Sequence, residues 1–128
     1  MDGELKHKFI FIDFYMQHCK WCYLITDDFN KLIEDTESWF GKEAMAFLKV
    51  DGQLVWQMAQ RYQVMYFPHF VAIGPGKNGD ELTHFKGADR NYQTLKQWVL
   101  EVMADVPLKT TDAKVLQEFE EKSIKKIH

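Results

Sequence analysis

The spacing of apolar positions changes several times along the chain, and each change marks a predicted element. Lys8-Phe9-Ile10-Phe11-Ile12-Asp13-Phe14 is a run of aromatic and β-branched side chains, the pattern of a strand covered on both faces. From Trp21 onward, Trp21, Ile25, Phe29, Leu32 and Ile33 recur at helical spacing and predict a helix to about Thr36. Met45 to Val50 predicts a second strand, followed by Asp51 as the cap of a short helix carrying Val55, Met58, Ala59 and Tyr62. Phe70 to Ile73 reads as a third strand. Gly74-Pro75-Gly76-Lys77-Asn78-Gly79-Asp80 then reverses the chain into an antiparallel fourth strand over Glu81 to Lys86. Tyr92, Leu95, Val99, Val102 and Met103 mark a further helix, capped by Asp89 or Asn91 and ended by Pro107. Beyond Thr111, Leu116, Phe119, Ile124 and Ile127 share one helical face among many charges, as a packed extra helix or the start of a linker.

This order predicts an α/β fold. The strand–helix–strand opening requires a parallel pair with a right-handed crossover, and the later hairpin adds antiparallel strands. The expected architecture is a central mixed four-stranded sheet flanked by helices, with residues 1–106 forming the domain and 107–128 a C-terminal helical tail or linker. Composition agrees with a single core: 128 residues, 46% hydrophobic and 15% aromatic. A formal charge of −3 argues against nucleic acid as the main partner. No run of eighteen apolar residues is present to span a membrane, and Phe9 to Phe14 is too short and interrupted for a signal-peptide core.

The two cysteines both lie in one Cys-x-x-Cys, Cys19-Lys20-Trp21-Cys22, which excludes a structural disulfide framework. Alone, such a motif is ambiguous between a redox pair and half of a zinc site. Its placement favours redox chemistry: the buried strand ends and a helix begins here, so Cys19 meets unpaired backbone N–H groups that stabilise a thiolate. Lys20 adds a neighbouring cation. Cys22, one turn into the helix, faces inward and can resolve a mixed disulfide formed by Cys19. Asp13 sits in a strongly apolar run, so burial and a raised carboxyl pKa are expected. Protonated His18 would stabilise the Cys19 thiolate, and Trp21 is expected to be an exposed aromatic beside the sulfur. The rival reading keeps the two thiolates as zinc ligands.

The segment Phe11-Ile12-Asp13-Phe14-Tyr15-Met16-Gln17-His18-Cys19-Lys20-Trp21-Cys22 resembles the strand-to-active-site region of thioredoxins and protein disulfide isomerase domains. Tyr66-Phe67-Pro68-His69-Phe70 is similar to that family's cis-proline loop. Lys77 to Glu81 leading to Phe85-Lys86-Gly87-Ala88 resembles its final hairpin and glycine. The resemblance covers about residues 8 to 103 and implies a thioredoxin fold whose opening strand and helix are short or absent, since only about eight residues precede the first strand. It also implies that Asp13 is the buried acid serving the resolving cysteine and that the Pro68 loop faces the cysteines, a placement that would bring His18, Cys19, Cys22 and His69 together as the rival zinc set.

Departures from the family pattern are His18 where Trp is usual, Lys20-Trp21 between the cysteines, and Asp27 where a proline commonly kinks the helix, which should leave that helix straighter. Phe47 stands at the position of a lysine near the acid, and His69 stands for a Thr. Arg90 falls one residue too far from Gly87 to be equated with a basic residue of isomerase domains.

The sequence therefore points to a thiol–disulfide oxidoreductase that reduces, forms or isomerises protein disulfides. Cys19, Cys22 and Asp13 are the catalytic candidates, Trp21, Phe67 and Pro68 the substrate contacts, and His18, Lys20 and His69 the tuning residues. No metal and no cofactor are assigned. Expected partners are protein or peptide thiols and disulfides, with a reductase or a larger assembly. The alternative is a thioredoxin-fold binding or assembly module with idle cysteines. The compartment is cytoplasmic for the chain as it stands, or the endoplasmic reticulum lumen for a domain trimmed from a longer precursor.

Overall fold

A computed structural model describes residues 8–75, 82–87 and 89–127, with side chains to position 121 in the last segment. The elements are β1 (Phe9–Tyr15), α1 (Lys20–Leu24), α2 (Thr26–Phe40), β2 (Met45–Asp51), α3 (Trp56–Arg61), β3 (His69–Ile73), β4 (Leu82–His84), α4 (Tyr92–Val102) and α5 (Ala113–Ile127). The strands form one mixed sheet in the order β2-β1-β3-β4. β1 runs parallel to β2 and antiparallel to β3, and β3 is antiparallel to β4.

The two central strands explain the continuous apolar runs, because successive side chains enter opposite layers. Ile10, Ile12 and Phe14 join Val71, Ile73 and Ala59 in a core on the α3 face. Phe11 points the other way, into a larger core with Phe29, Leu32, Phe40, Leu95, Val99 and Met103 from α2 and its neighbours. Burying each such side chain contributes about 1.5–3 kcal/mol. Asp13 shares the Phe11 face, so a carboxyl stands where the pattern calls for an apolar group.

Several expected boundaries moved, each for a local reason. The predicted helix from Trp21 to Thr36 is two helices that meet at Ile25, whose ψ of −8° lies off helical values. No proline is needed for this break. The Thr26 hydroxyl donates to the Cys22 carbonyl at 3.2 Å, a back-bond that bends helices, so the expectation of a straighter helix is overturned. Asp51 does not cap α3. Its Oδ1 accepts from Gln53 N and Leu54 N (2.9 and 3.3 Å), closing the turn that precedes the helix. Asn91 is the cap of α4, with a reciprocal bond pair to Thr94. That helix stops at Val102, well before Pro107, so the proline is not its terminator. The fourth strand is only Leu82–His84. Most of the predicted reversal (76–80), together with Glu81 and Ala88, lies outside the described residues, as do the side chains of Ile124 and Ile127.

The tail is a helix packed on the large core. Asp112 Oδ1 accepts from Lys114 N at the start of α5, Val115 is buried, and Phe119 meets Phe40 edge-on with ring centroids 5.8 Å apart. Lys96, nearly buried on α4, pairs with Glu118 at 2.9 Å.

The strand directions place the site. β1 and β2 are parallel, so their C-terminal ends share an edge, and antiparallel β3 begins at that same edge. Three connections therefore converge: the Cys-x-x-Cys loop after β1, the Gly52 turn after β2, and the Phe67–Pro68 segment before β3.

Candidate active site

Cys19 and Cys22 are joined in a disulfide, with Cα atoms 5.2 Å apart. Cys19 is the N-cap of α1, and its Sγ accepts the Cys22 backbone N–H at 3.1 Å. On reduction this N–H would face the sulfur that carries the negative charge, and a hydrogen bond to the charged form favours the thiolate. His18, just before, adopts a positive φ of 62° and is exposed, a conformation histidine tolerates better than most side chains. Lys20 opens α1 and is exposed as well.

An open cleft of about 550 Å³ lies beside the disulfide and is lined by Asp13, His18, Cys19, Lys20, Cys22, Tyr15, Thr26 and Lys49, among others. Asp13 is only 5% exposed, and among the described residues its Oδ1 has no hydrogen-bond partner. Burial pushes its pKa from the ordinary 3.8 up to about 6, against a smaller opposing pull from the Lys49 cation. A carboxyl in that range exchanges a proton readily near neutral pH.

Lys49 is the residue the sequence reading missed. It lies directly across from Asp13 in the parallel β1–β2 register, and its ammonium donates to Asn30 Oδ1 at 3.1 Å. The chain thus carries a lysine near the acid after all, two positions beyond Phe47. Phe47 instead stacks on Phe11 with centroids 5.1 Å apart.

Of the other sequence candidates, Trp21, Phe67, Pro68 and His69 do not line this cleft. Trp21 is 68% exposed on α1. The Phe67–Pro68 bond is cis. Phe67 packs over Gly52, where a Cβ would run into its ring, and Gly52 N donates to Tyr15 O at 2.8 Å. Glycine is required at that crossing, which stitches the three converging connections together. His69 is buried on the other face of the sheet, its Nε2 2.9 Å from His84 Nδ1. The structure does not gather His18, Cys19, Cys22 and His69 into a ligand set. Among the described residues no group of three or more His, Cys, Asp or Glu side chains is disposed to hold a metal. Arg90 lies over the Tyr66 ring at 4.5 Å.

Exposed apolar side chains flank each of these connections along the chain. Tyr23 and Leu24 on α1, Leu54 and Trp56 at α3, and Met65 (83% exposed) and Tyr66 before the proline all face solvent. Among the described residues no helix is long and apolar enough to cross a membrane.

Comparison with known proteins fits this geometry. Human ERp44 in its zinc-bound form superposes with a TM-score of 0.63 at 19% identity, over 77% of this chain and 30% of that one. The first thioredoxin domain of mouse protein disulfide-isomerase A4 gives 0.61 at 18%, over 79% of this chain and 64% of that one. A thioredoxin of Fasciola hepatica gives 0.60 at 29%, over 76% and 83%. The chain thus spans less than two thirds of the first two, and none of the curated proteins matches it. The thioredoxin family profile matches residues 2–101. With that profile over most of its length and a disulfide-bonded Cys-x-x-Cys at the turn from strand to helix, the chain belongs to the thioredoxin family.

Proposed function

We propose that the protein is a thiol–disulfide oxidoreductase acting on protein or peptide disulfides. The carrying observation is the disulfide-bonded pair Cys19–Cys22 set against the buried carboxyl of Asp13 in one cleft. In the reducing direction, the Cys19 thiolate attacks one sulfur of a substrate disulfide and forms a mixed disulfide, and the other substrate sulfur leaves as a thiolate that takes up a proton. Asp13 accepts the proton of the Cys22 thiol, and the resulting thiolate attacks Cys19 Sγ. The Cys19–Cys22 bond forms, the second substrate thiolate departs, and two electrons have passed from the protein to the substrate. The reverse sequence forms substrate disulfides, and release of the mixed disulfide to another substrate thiol isomerises them.

The Lys20 cation favours the Cys19 thiolate, and His18 adds to this when it is protonated. Trp21, Phe67 and Pro68, with the exposed apolar side chains near them along the chain, contact an extended substrate segment. A reductase or an assembly that returns the pair to its working redox state completes the cycle.

The test is insulin disulfide reduction with dithiothreitol as electron source. Wild-type protein should accelerate precipitation of the insulin B chain, and Cys19→Ser should return the rate to background. Equal rates for wild type and Cys19→Ser would overturn the reading. A stable partner recovered without any turnover would favour the binding-module alternative.

A further inference from the structure

The residue after the cis proline is not free to act on the cysteines, because its side chain is committed elsewhere. His69 and His84 stand diagonally on one face of the β3–β4 hairpin, since His84 is the register partner of Val71. Their rings meet edge-on with centroids 5.1 Å apart and share the 2.9 Å Nε2···Nδ1 contact. His69 is 5% exposed, and Tyr66, three residues earlier and across Pro68, meets its ring edge-on at 4.9 Å. The other nitrogen of His69, Nδ1, is buried without a partner, so the bond to His84 is its one polar anchor among the described residues. β4 is three residues long, and its side of the sheet is held by a short ladder plus the Phe85 N to Phe70 O bond of 2.9 Å.

We propose that His84, through its hydrogen bond to His69, is a positioning residue that fixes the Phe67–Pro68 segment for substrate docking. The inference rests on the oxidoreductase reading, in which that segment contacts substrate. The bond needs one donor and one acceptor nitrogen. It forms between two neutral rings and survives one added proton, but two imidazolium rings have only donors and repel. The charged and titratable groups around His69 all disfavour the second proton or leave it unaided. His84 faces it from β4, and the Arg90 guanidinium stands over Tyr66 ahead of α4. β1 presents the apolar Phe14 opposite, with Asp13 directed to the other face. Burial, then His84 and then Arg90 lower the His69 pKa to about 4, so the clamp stays engaged across the neutral range.

The test is steady-state reduction of a disulfide-linked peptide by wild type, His84→Ala and His84→Asn. An Asn side chain places an amide atom at the position of the histidine Nδ1, so it restores the contact that Ala removes. His84→Ala should raise KM about fivefold, the scale of one net hydrogen bond, with kcat within about twofold. His84→Asn should return KM to the wild-type value. The reduction potential of Cys19–Cys22 should be the same in all three proteins. An unchanged KM in His84→Ala, no rescue by His84→Asn, or a shifted potential would overturn the positioning role while leaving the oxidoreductase reading intact. Inactivity of the wild type would instead overturn that reading, and this inference with it.

Discussion

Asp13 and His69 occupy neighbouring rows of the sheet, on opposite faces, and each is 5% exposed with one polar atom that has no partner among the described residues. Burial acts on both in the same physical sense, against charge, yet the outcomes differ. Asp13 is pushed up to about 6, where it exchanges protons at working pH, helped back toward ionisation by Lys49. His69 is pushed down to about 4 and stays neutral, with His84 and Arg90 reinforcing the effect. One face of the sheet therefore offers a group that titrates and the other a group that is kept from titrating. Desolvation alone does not define an acid–base residue; the direction of the shift relative to neutral pH does.

Removing Cys19 tests that division hardest. Cys19→Ser should abolish insulin reduction while leaving the fold intact by circular dichroism, whereas no single change on the histidine face should do so. Stability against pH gives the next largest effect. Asp13 binds a proton more tightly folded than unfolded, so its contribution is full below pH 3.8 and is lost as pH rises to about 6, a change of about 3 kcal/mol. His69 binds a proton less tightly when folded, so its contribution is full above pH 6.5 and is lost as pH falls to about 4. The two slopes oppose one another. In urea titrations between pH 4 and 6.5, Asp13→Asn should become more stable as pH rises, and His69→Gln less stable. Parallel slopes in the two variants would break the comparison.

Asp13→Asn should also slow turnover by roughly 100-fold, the scale of a lost general acid–base group, and erase a pH dependence near 6 in kcat. Smaller still, Lys49→Gln should move that pH dependence upward, because it removes the cation that holds the Asp13 pKa down. A downward movement would show that Lys49 does not act on Asp13 electrostatically.

The sequence made one half of this arrangement readable and hid the other. The Cys-x-x-Cys, the buried acid and the strand–helix–strand order are local patterns, and they survive in the structure. Lys49 was hidden because its importance comes from register: Asp13 and Lys49 are each the fifth residue of their strands, and parallel pairing starts from Phe9 opposite Met45. Equal offsets in two adjacent parallel strands were the available signal. His84 offered none, since a three-residue strand carries too little pattern to set its register across the preceding reversal. The break at Ile25 was masked for a related reason, because apolar spacing continues through it and only the Thr26 hydroxyl marks it.

The strand order also bears on when the chemistry begins. β1 comes first among the strands, yet it lies between β2 and β3, and Ile10 pairs with Ile73 from far along the chain. Until both flanking strands have been made and docked, Asp13 is an ordinary solvated carboxylate with an ordinary pKa. During synthesis the cysteines are exposed long before the acid beside them acquires its raised affinity for a proton. In the proposed mechanism the nucleophile is present early and its proton acceptor is assembled late, so full activity would report the completed sheet rather than the presence of the motif.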